Sequence, residues 1–210
     1  MGPADRFLVP VLFLVSCTVL TPRSFADSGT DFSNAGGTLA GTNAGLSLSG
    51  STLVAVSGFN GNGLITGDLG TVTFSTGALN SGGSLTMGGT FAGGGTFMVT
   101  GNGTKGVRNG VLFSGSFSGS ATWTLMTLAN GTHNYTLTGV VAGTMGGTSV
   151  NGVTVQLTVN TGTAFFDGST SISGGDTTLE AAVPEPSTLT LMGTATLFVA
   201  GTFRRKVLTR

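Results

Sequence analysis

Val153-Thr154-Val155-Gln156-Leu157-Thr158-Val159 alternates apolar and polar residues without interruption. Successive side chains of an extended backbone point to opposite faces, so Val153, Val155, Leu157 and Val159 share one face and Thr154, Gln156 and Thr158 the other. The stretch predicts a strand that is buried on one side and wet on the other. The same period of two recurs in Leu46 and Leu48, Val54 and Val56, Val72 and Phe74, Leu85 and Met87, and Phe97 and Val99. Threonine is the usual neighbour on the opposite face. Its β-branch favours extended backbone while its hydroxyl faces water. No helical period competes with this pattern ahead of residue 183.

Asn-Gly dipeptides separate the runs, at Asn60-Gly61, Asn62-Gly63, Asn102-Gly103, Asn109-Gly110, Asn130-Gly131 and Asn151-Gly152. Both residue types accept positive φ, which tight hairpin turns require. Asn130-Gly131 is the clearest, because it stands between residues 121–128, with Trp123 and Leu125, and residues 135–141, opened by Tyr135. An antiparallel pair is expected there. Gly82-Gly83, Gly88-Gly89, Gly93 to Gly95 and Gly146-Gly147 fit loops or bulges, since glycine inside a strand costs about 0.5–1 kcal/mol relative to alanine. About ten to twelve strands are expected in all.

Residues 27–182 have the length of a single domain and hold 35 of the chain's 38 glycines. Glycine and serine richness alone would permit disorder, yet Phe59, Phe74, Phe91, Phe97, Phe113, Phe117, Trp123, Tyr135, Phe165 and Phe166 punctuate the region. Disordered segments rarely keep so many aromatics. The region therefore reads as one all-β, antiparallel domain, a sandwich or a rolled sheet. An echo of Gly36-Gly37-Thr38-Leu39-Ala40-Gly41 at Gly88-Gly89-Thr90-Phe91-Ala92-Gly93 makes a β-solenoid the second choice. A solenoid needs at least three units at a fixed period, and only this one echo is found.

The two ends of the chain read as addresses attached to that domain. Arg6 opens a short charged region, residues 7–20 form an apolar run, and Ser24-Phe25-Ala26 offers the small residues a signal peptidase reads. Cleavage is expected after Ala26. A rival reading of the same segment is the lipobox form Leu14-Val15-Ser16-Cys17, in which Cys17 would carry lipid. Cleavage after Ala26 removes the only cysteine, so the mature protein would depend on packing and backbone hydrogen bonds for stability.

At the other end Val183-Pro184-Glu185-Pro186 precedes an apolar run at residues 187–203 and the basic Arg204-Arg205-Lys206. The prolines resist helix and keep the motif extended and open to a protease. As a helix the run would be about 25 Å long, the short limit for a hydrocarbon core. Thr188, Thr190, Thr194, Thr196, Gly193 and Gly201 lower its hydrophobicity, which favours a temporary anchor over a lasting one. The positive-inside rule keeps the basic end in the cytoplasm and everything before Val183 outside. The expected layout is thus an N-terminal signal helix, the β domain and a C-terminal transmembrane helix.

Motif, span and basic end together resemble the PEP-CTERM sorting signal of bacterial exported proteins. The resemblance implies recognition of Val183, Pro184, Glu185 and Pro186 by an exosortase-type membrane protease, and retention through Arg204, Arg205 and Lys206 until the chain is cut. It implies a protein of the cell envelope, the surface or the extracellular space, in contact with the membrane only in passing. Residues 68–179 also look like the glycine- and threonine-rich β regions that often accompany such tails.

Charge and chemistry narrow the function further. Residues 27–182 carry Lys105 and Arg108 against Asp27, Asp31, Asp68, Asp167, Asp176 and Glu180, a net charge of about −4. No basic stripe exists to hold a phosphate backbone, which argues against nucleic acid. His133 is the only histidine, so a two-histidine metal centre cannot form. It falls between Asn130 and Asn134, in an expected loop. No Gly-x-Ser-x-Gly elbow presents a nucleophile to it; Ser114, Ser116 and Ser118 lie in a strand-like stretch. Gly174-Gly175-Asp176 matches one piece of a calcium-binding nonapeptide repeat, but a single copy lacks the neighbouring turn and reads as a hairpin turn.

Asn102, Asn130 and Asn134 open Asn-x-Thr acceptor patterns, which in a bacterial chain mark only polar turns. Two functions remain. The first is a non-enzymatic structural or adhesive protein of the envelope or exopolysaccharide matrix, with no cofactor and no metal. The second is an exported carbohydrate-active hydrolase that would need Asp68, Asp167, Asp176 or Glu180 to face one another in a cleft.

Overall fold

The computed structural model describes residues 29–179. They form twelve strands: β1 (Thr30–Ala35), β2 (Thr38–Thr42), β3 (Gly45–Ser57), β4 (Ile65–Ser75), β5 (Gly89–Phe91), β6 (Gly94–Gly101), β7 (Gly110–Phe117), β8 (Ala121–Thr127), β9 (His133–Met145), β10 (Thr148–Asn160), β11 (Ser169–Ser171) and β12 (Gly174–Leu179). One 3-10 turn, Phe59–Gly61, interrupts them. The described residues belong to one compact unit.

The twelve strands amount to eight long staves, because four staves are broken by a short bend. β1 runs on as β2 against β3; β5 runs on as β6; β7 runs on as β8 against β9; and β11 runs on as β12. Each stave pairs antiparallel with its sequence neighbours, and the first pairs with the last through Thr30↔Leu179 and Leu39↔Thr170. The result is a closed, eight-stranded, up-and-down barrel, in which no stave is left as a free edge. The rolled sheet expected from the sequence is therefore correct in its closed form. Neither the sandwich nor the solenoid is formed.

Gly36 and Gly37 show how a bend works. Their φ values of +66° and +88° suit glycine, and they let the stave swing from its pairing with β12 to its pairing with β11. The repeated Gly-Gly-Thr segments are the far ends of two different staves, where Leu39 and Phe91 each point fully buried into the barrel.

Alternation sets the inside and outside of the wall. Val153, Val155, Leu157 and Val159 are buried while Thr154, Gln156 and Thr158 are exposed, as their spacing predicts. Apolar side chains fill the barrel and polar ones cover it, the reverse of a barrel that faces lipid. Of the ten aromatics expected in the core only Phe165 is exposed. Among the described residues no helix is long and apolar enough to cross a membrane. The expected helices at 7–20 and 187–203 lie outside the described residues.

Several expectations need correcting. In β3 the inward residue is Leu53 and not Val54, because register shifts after Leu48 and Leu53 break the alternation. Leu85 and Met87 lie in a turn, where Leu85 packs against the core and Met87 is exposed. Asn151-Gly152 is a bulge inside β10, with Gly152 at φ +80° and the register shifting between Val150 and Val153. The true hairpin turn is Gly146-Gly147, both at positive φ between paired Met145 and Thr148. Asn130-Gly131 does make its turn, and Trp123 pairs with Leu137 across the hairpin. Gly174-Gly175-Asp176 opens β12 and is not a hairpin turn.

Large rings fit the interior because glycines face them. A Cβ added at Gly139 would lie 2.7 Å from the Phe117 ring, and one at Gly41 would lie 2.9 Å from the Phe166 ring. Phe117 in turn stands edge-on to Phe74 and Phe97, at 6.0 and 6.3 Å between centroids. Rings over glycines give the core its density without overfilling a narrow barrel. Gly139→Val should thus destabilise the barrel by about 1–3 kcal/mol through overpacking, read as a lower urea midpoint. Thr154→Val on the outer wall should stay within about 0.5 kcal/mol of the parent.

Candidate functional site

The two rims of the barrel differ. The far rim carries the turn after β2, the loop after β4, the Asn130-Gly131 turn and the loop after β10. It is plugged by three rings: Trp123 stacks on Tyr135 at 5.0 Å, and Phe166 lies 5.5 and 6.0 Å from them. Their polar atoms tie the loops down. Trp123 Nε1 donates to the Leu85 carbonyl at 2.9 Å, Tyr135 Oη donates to the Thr86 carbonyl at 2.8 Å, and the Phe166 amide donates to Tyr135 Oη at 3.1 Å.

His133 belongs to this sealed end. It is the first residue of β9 and not a loop residue, and it is only 8% exposed. Its ring stacks on Phe165 at 4.2 Å, and Nδ1 shares a hydrogen bond with Thr127 Oγ1, its partner across the hairpin. A threonine, not a carboxylate, thus orients the imidazole.

The near rim is where Thr30 and Leu179 meet. Three connections surround its mouth: the loop with Phe59 and Asn60 after β3, the loop with Arg108 after β6, and the Gly146-Gly147 hairpin leading into Thr148, Ser149, Val150 and Asn151. Residues of these connections, with Met145, line a partly open hollow of about 580 Å3. Mouths of β-barrels are a common place for small-molecule sites, and this volume is within their usual range. Phe59, one of the lining residues, packs on Phe32 at 6.1 Å between centroids.

Local chemistry holds the walls in place. Asn102 turns the β6 loop by accepting from the Thr104 amide, and Lys105 and Gly106 follow at φ +52° and +84°. Thr104 Oγ1 donates to the Asp68 carbonyl at 2.8 Å, Asn102 Nδ2 donates to Asp68 Oδ1 at 3.2 Å, and Lys105 Nζ donates to the Thr66 carbonyl at 2.6 Å. The loop is thereby stitched to β4. Arg108 follows, with Nη2 donating to the Val111 carbonyl at 2.6 Å. On the neighbouring side, where β9 pairs with β7, β10 carries its bulge at Asn151-Gly152 just past the lining residues 148–151.

The acids singled out from the sequence are not brought together. Asp68 lies near the start of β4, towards the near rim; Asp167 lies in the loop at the far rim; and Asp176 sits on the outer wall in β12. Asp176 borders a second, smaller hollow of about 260 Å3 with Asn34, Gln156 and Thr158. Glu180 falls outside the described residues. Among the described residues no group of three His, Cys, Asp or Glu side chains could hold a metal ion. Ser114 and Ser116 are strand residues of β7, and Ser118 follows it.

Ser24, Ala26, Cys17, the motif Val183 to Pro186 and the basic Arg204, Arg205 and Lys206 also lie outside the described residues. The family model of the PEP-CTERM protein-sorting motif matches residues 182–206. Comparison with curated proteins and with solved structures found no match.

The far-rim ties make a stability prediction. Tyr135→Phe would leave the buried Phe166 amide and the Thr86 carbonyl without their partner, at about 1–3 kcal/mol. The expected outcome is a lower urea midpoint and faster proteolytic cutting within residues 81–88, with the near-rim loops cut no faster than in the parent.

Proposed function

We propose that this chain, exported and sorted through its PEP-CTERM signal, is a structural or adhesive component of the bacterial envelope or exopolysaccharide matrix. The observation that carries the reading is the motif match at residues 182–206, which begins three residues after β12 ends. A sorting signal of this kind is generally processed by exosortase, a membrane protein. The proposed order is removal of residues 1–26 by signal peptidase, folding of the barrel outside the membrane, and cutting at Val183 to Pro186 while Arg204, Arg205 and Lys206 hold the precursor.

The wall of the barrel suits that destination. Thr154, Gln156, Thr158 and Asn160 on β10, and Thr122 and Thr124 on β8, present hydroxyls and amides to solvent. Such a surface makes many weak hydrogen bonds to sugars and to water alike. No reaction is assigned to the barrel.

Glu185→Ala should leave the precursor in the membrane fraction, detected by mass as a chain that keeps its last residues. Release at the parent's rate would overturn processing at this motif. The matrix role has its own test: the exported protein should co-sediment with the host's exopolysaccharide or envelope fraction, and its recovery only from the free soluble fraction would remove the adhesive reading.

A further inference from the structure

We infer that the near-rim mouth is a binding site for an acidic oligosaccharide, with Arg108 receiving the carboxylate of a uronic acid unit. The inference extends the matrix reading by naming a ligand class, and it stands on the mouth alone.

Charge is the first argument. Lys105 and Arg108 are the only cationic side chains between residues 29 and 179, and Lys105 is engaged with the Thr66 carbonyl at 2.6 Å. Arg108 donates from Nη2 to the Val111 carbonyl, a bond that fixes one arm of its guanidinium and uses one of its five donors. A guanidinium held at the edge of a cavity matches a carboxylate in bidentate fashion.

The lining is the second. Phe59, Met145 and Val150 offer apolar surface, while Asn60, Thr148, Ser149 and Asn151 add amides and hydroxyls. A sugar ring carries the same division, with C–H faces that pack on apolar and aromatic surface and hydroxyls that need donors and acceptors around them. The competing anions fit less well. The aromatic filling leaves no slot for the long apolar tail of a fatty acid, and the closed barrel offers no free strand edge on which a peptide could add. At about 580 Å3 the mouth has room for a short chain of sugars.

The test titrates the exported full chain and its Arg108→Gln and Arg108→Lys variants with tetragalacturonate, by calorimetry at low and high salt. The same tetramer, fully methyl-esterified, serves as the neutral probe. The parent should bind the acid form, more weakly at high salt. Arg108→Gln should lose about tenfold or more in affinity, the effect of removing a charge-assisted pair. Arg108→Lys should recover part of the loss, and the ester should bind the parent no better than the acid binds Arg108→Gln. Unchanged urea midpoints show that the variants fold.

Equal binding of acid and ester, equal binding by parent and Arg108→Gln, or no binding at millimolar tetramer would each overturn the site. A protein that co-sediments with the host matrix yet ignores the tetramer would sink the mouth site alone. One that binds the tetramer but never meets the matrix would sink the matrix role alone.

Discussion

Everything in the described chain depends on the pairing of its first stave with its last. β1 lies between β3 and β12, so the sheet that begins at Thr30 is completed only when β12 arrives at Leu179. Until then both edges present unpaired amides and carbonyls, which invite pairing with other chains. Closure removes those edges and gathers the inward faces of all eight staves around one core. It is also a contact between residues almost the whole domain apart, the kind of pairing that makes all-β proteins slow to fold. A chain with this burden and no disulfide in the described region needs an interior that closes tightly, and the rings seated over Gly139 and Gly41 supply it.

The local part of this fold was legible in the sequence. Val153 to Val159 alternates without a bulge, and it forms a strand with the expected face inward. Asn130-Gly131 turns a hairpin that pairs without a register shift from Thr127↔His133 to Thr122↔Thr138. Where the signal failed, backbone irregularity was the cause. Asn151-Gly152 has turn chemistry, but positive φ serves a bulge as well as a turn, and neighbouring Gly146-Gly147 had already supplied the hairpin. In β3 one register shift after Leu48 moved the inward position to Leu53, and a second after Leu53 returned it to Val56. Closure itself left no local trace, since Thr30 and Leu179 meet although they stand 149 positions apart.

The candidate sites divide along the same line. The sorting motif is contiguous, so Pro184, Glu185 and Pro186 could be read directly, and the family comparison agrees. The mouth draws on three connections, around Phe59, Arg108 and Ser149, that are distant in sequence. Arg108 was visible as one of few bases, but nothing in its neighbours announced a cavity. His133 shows the opposite error: Asn130 to Asn134 has the composition of a loop, yet the ladder with β8 begins at that residue and draws it into the far-rim seal. The two rims thus have different characters, one closed by aromatic rings bonded to its loops and the other bearing a hollow beside a loop bonded to β4.

The position of Leu179 has a mechanical consequence. β12 is bonded on both sides, to β1 and to β10, and the chain continues towards the sorting motif from its outer end. A pull on the tail against a load held at the far rim runs along the strand, perpendicular to its ladder hydrogen bonds. Both ladders are then loaded in shear, with many rungs sharing the force at once. A pull between Thr30 and Leu179, which meet at the same rim, instead opens β1 from β12 one rung at a time. The barrel is therefore strong in the direction in which a tethered protein would be stretched by material gripping its far end, and weak when its own ends are parted.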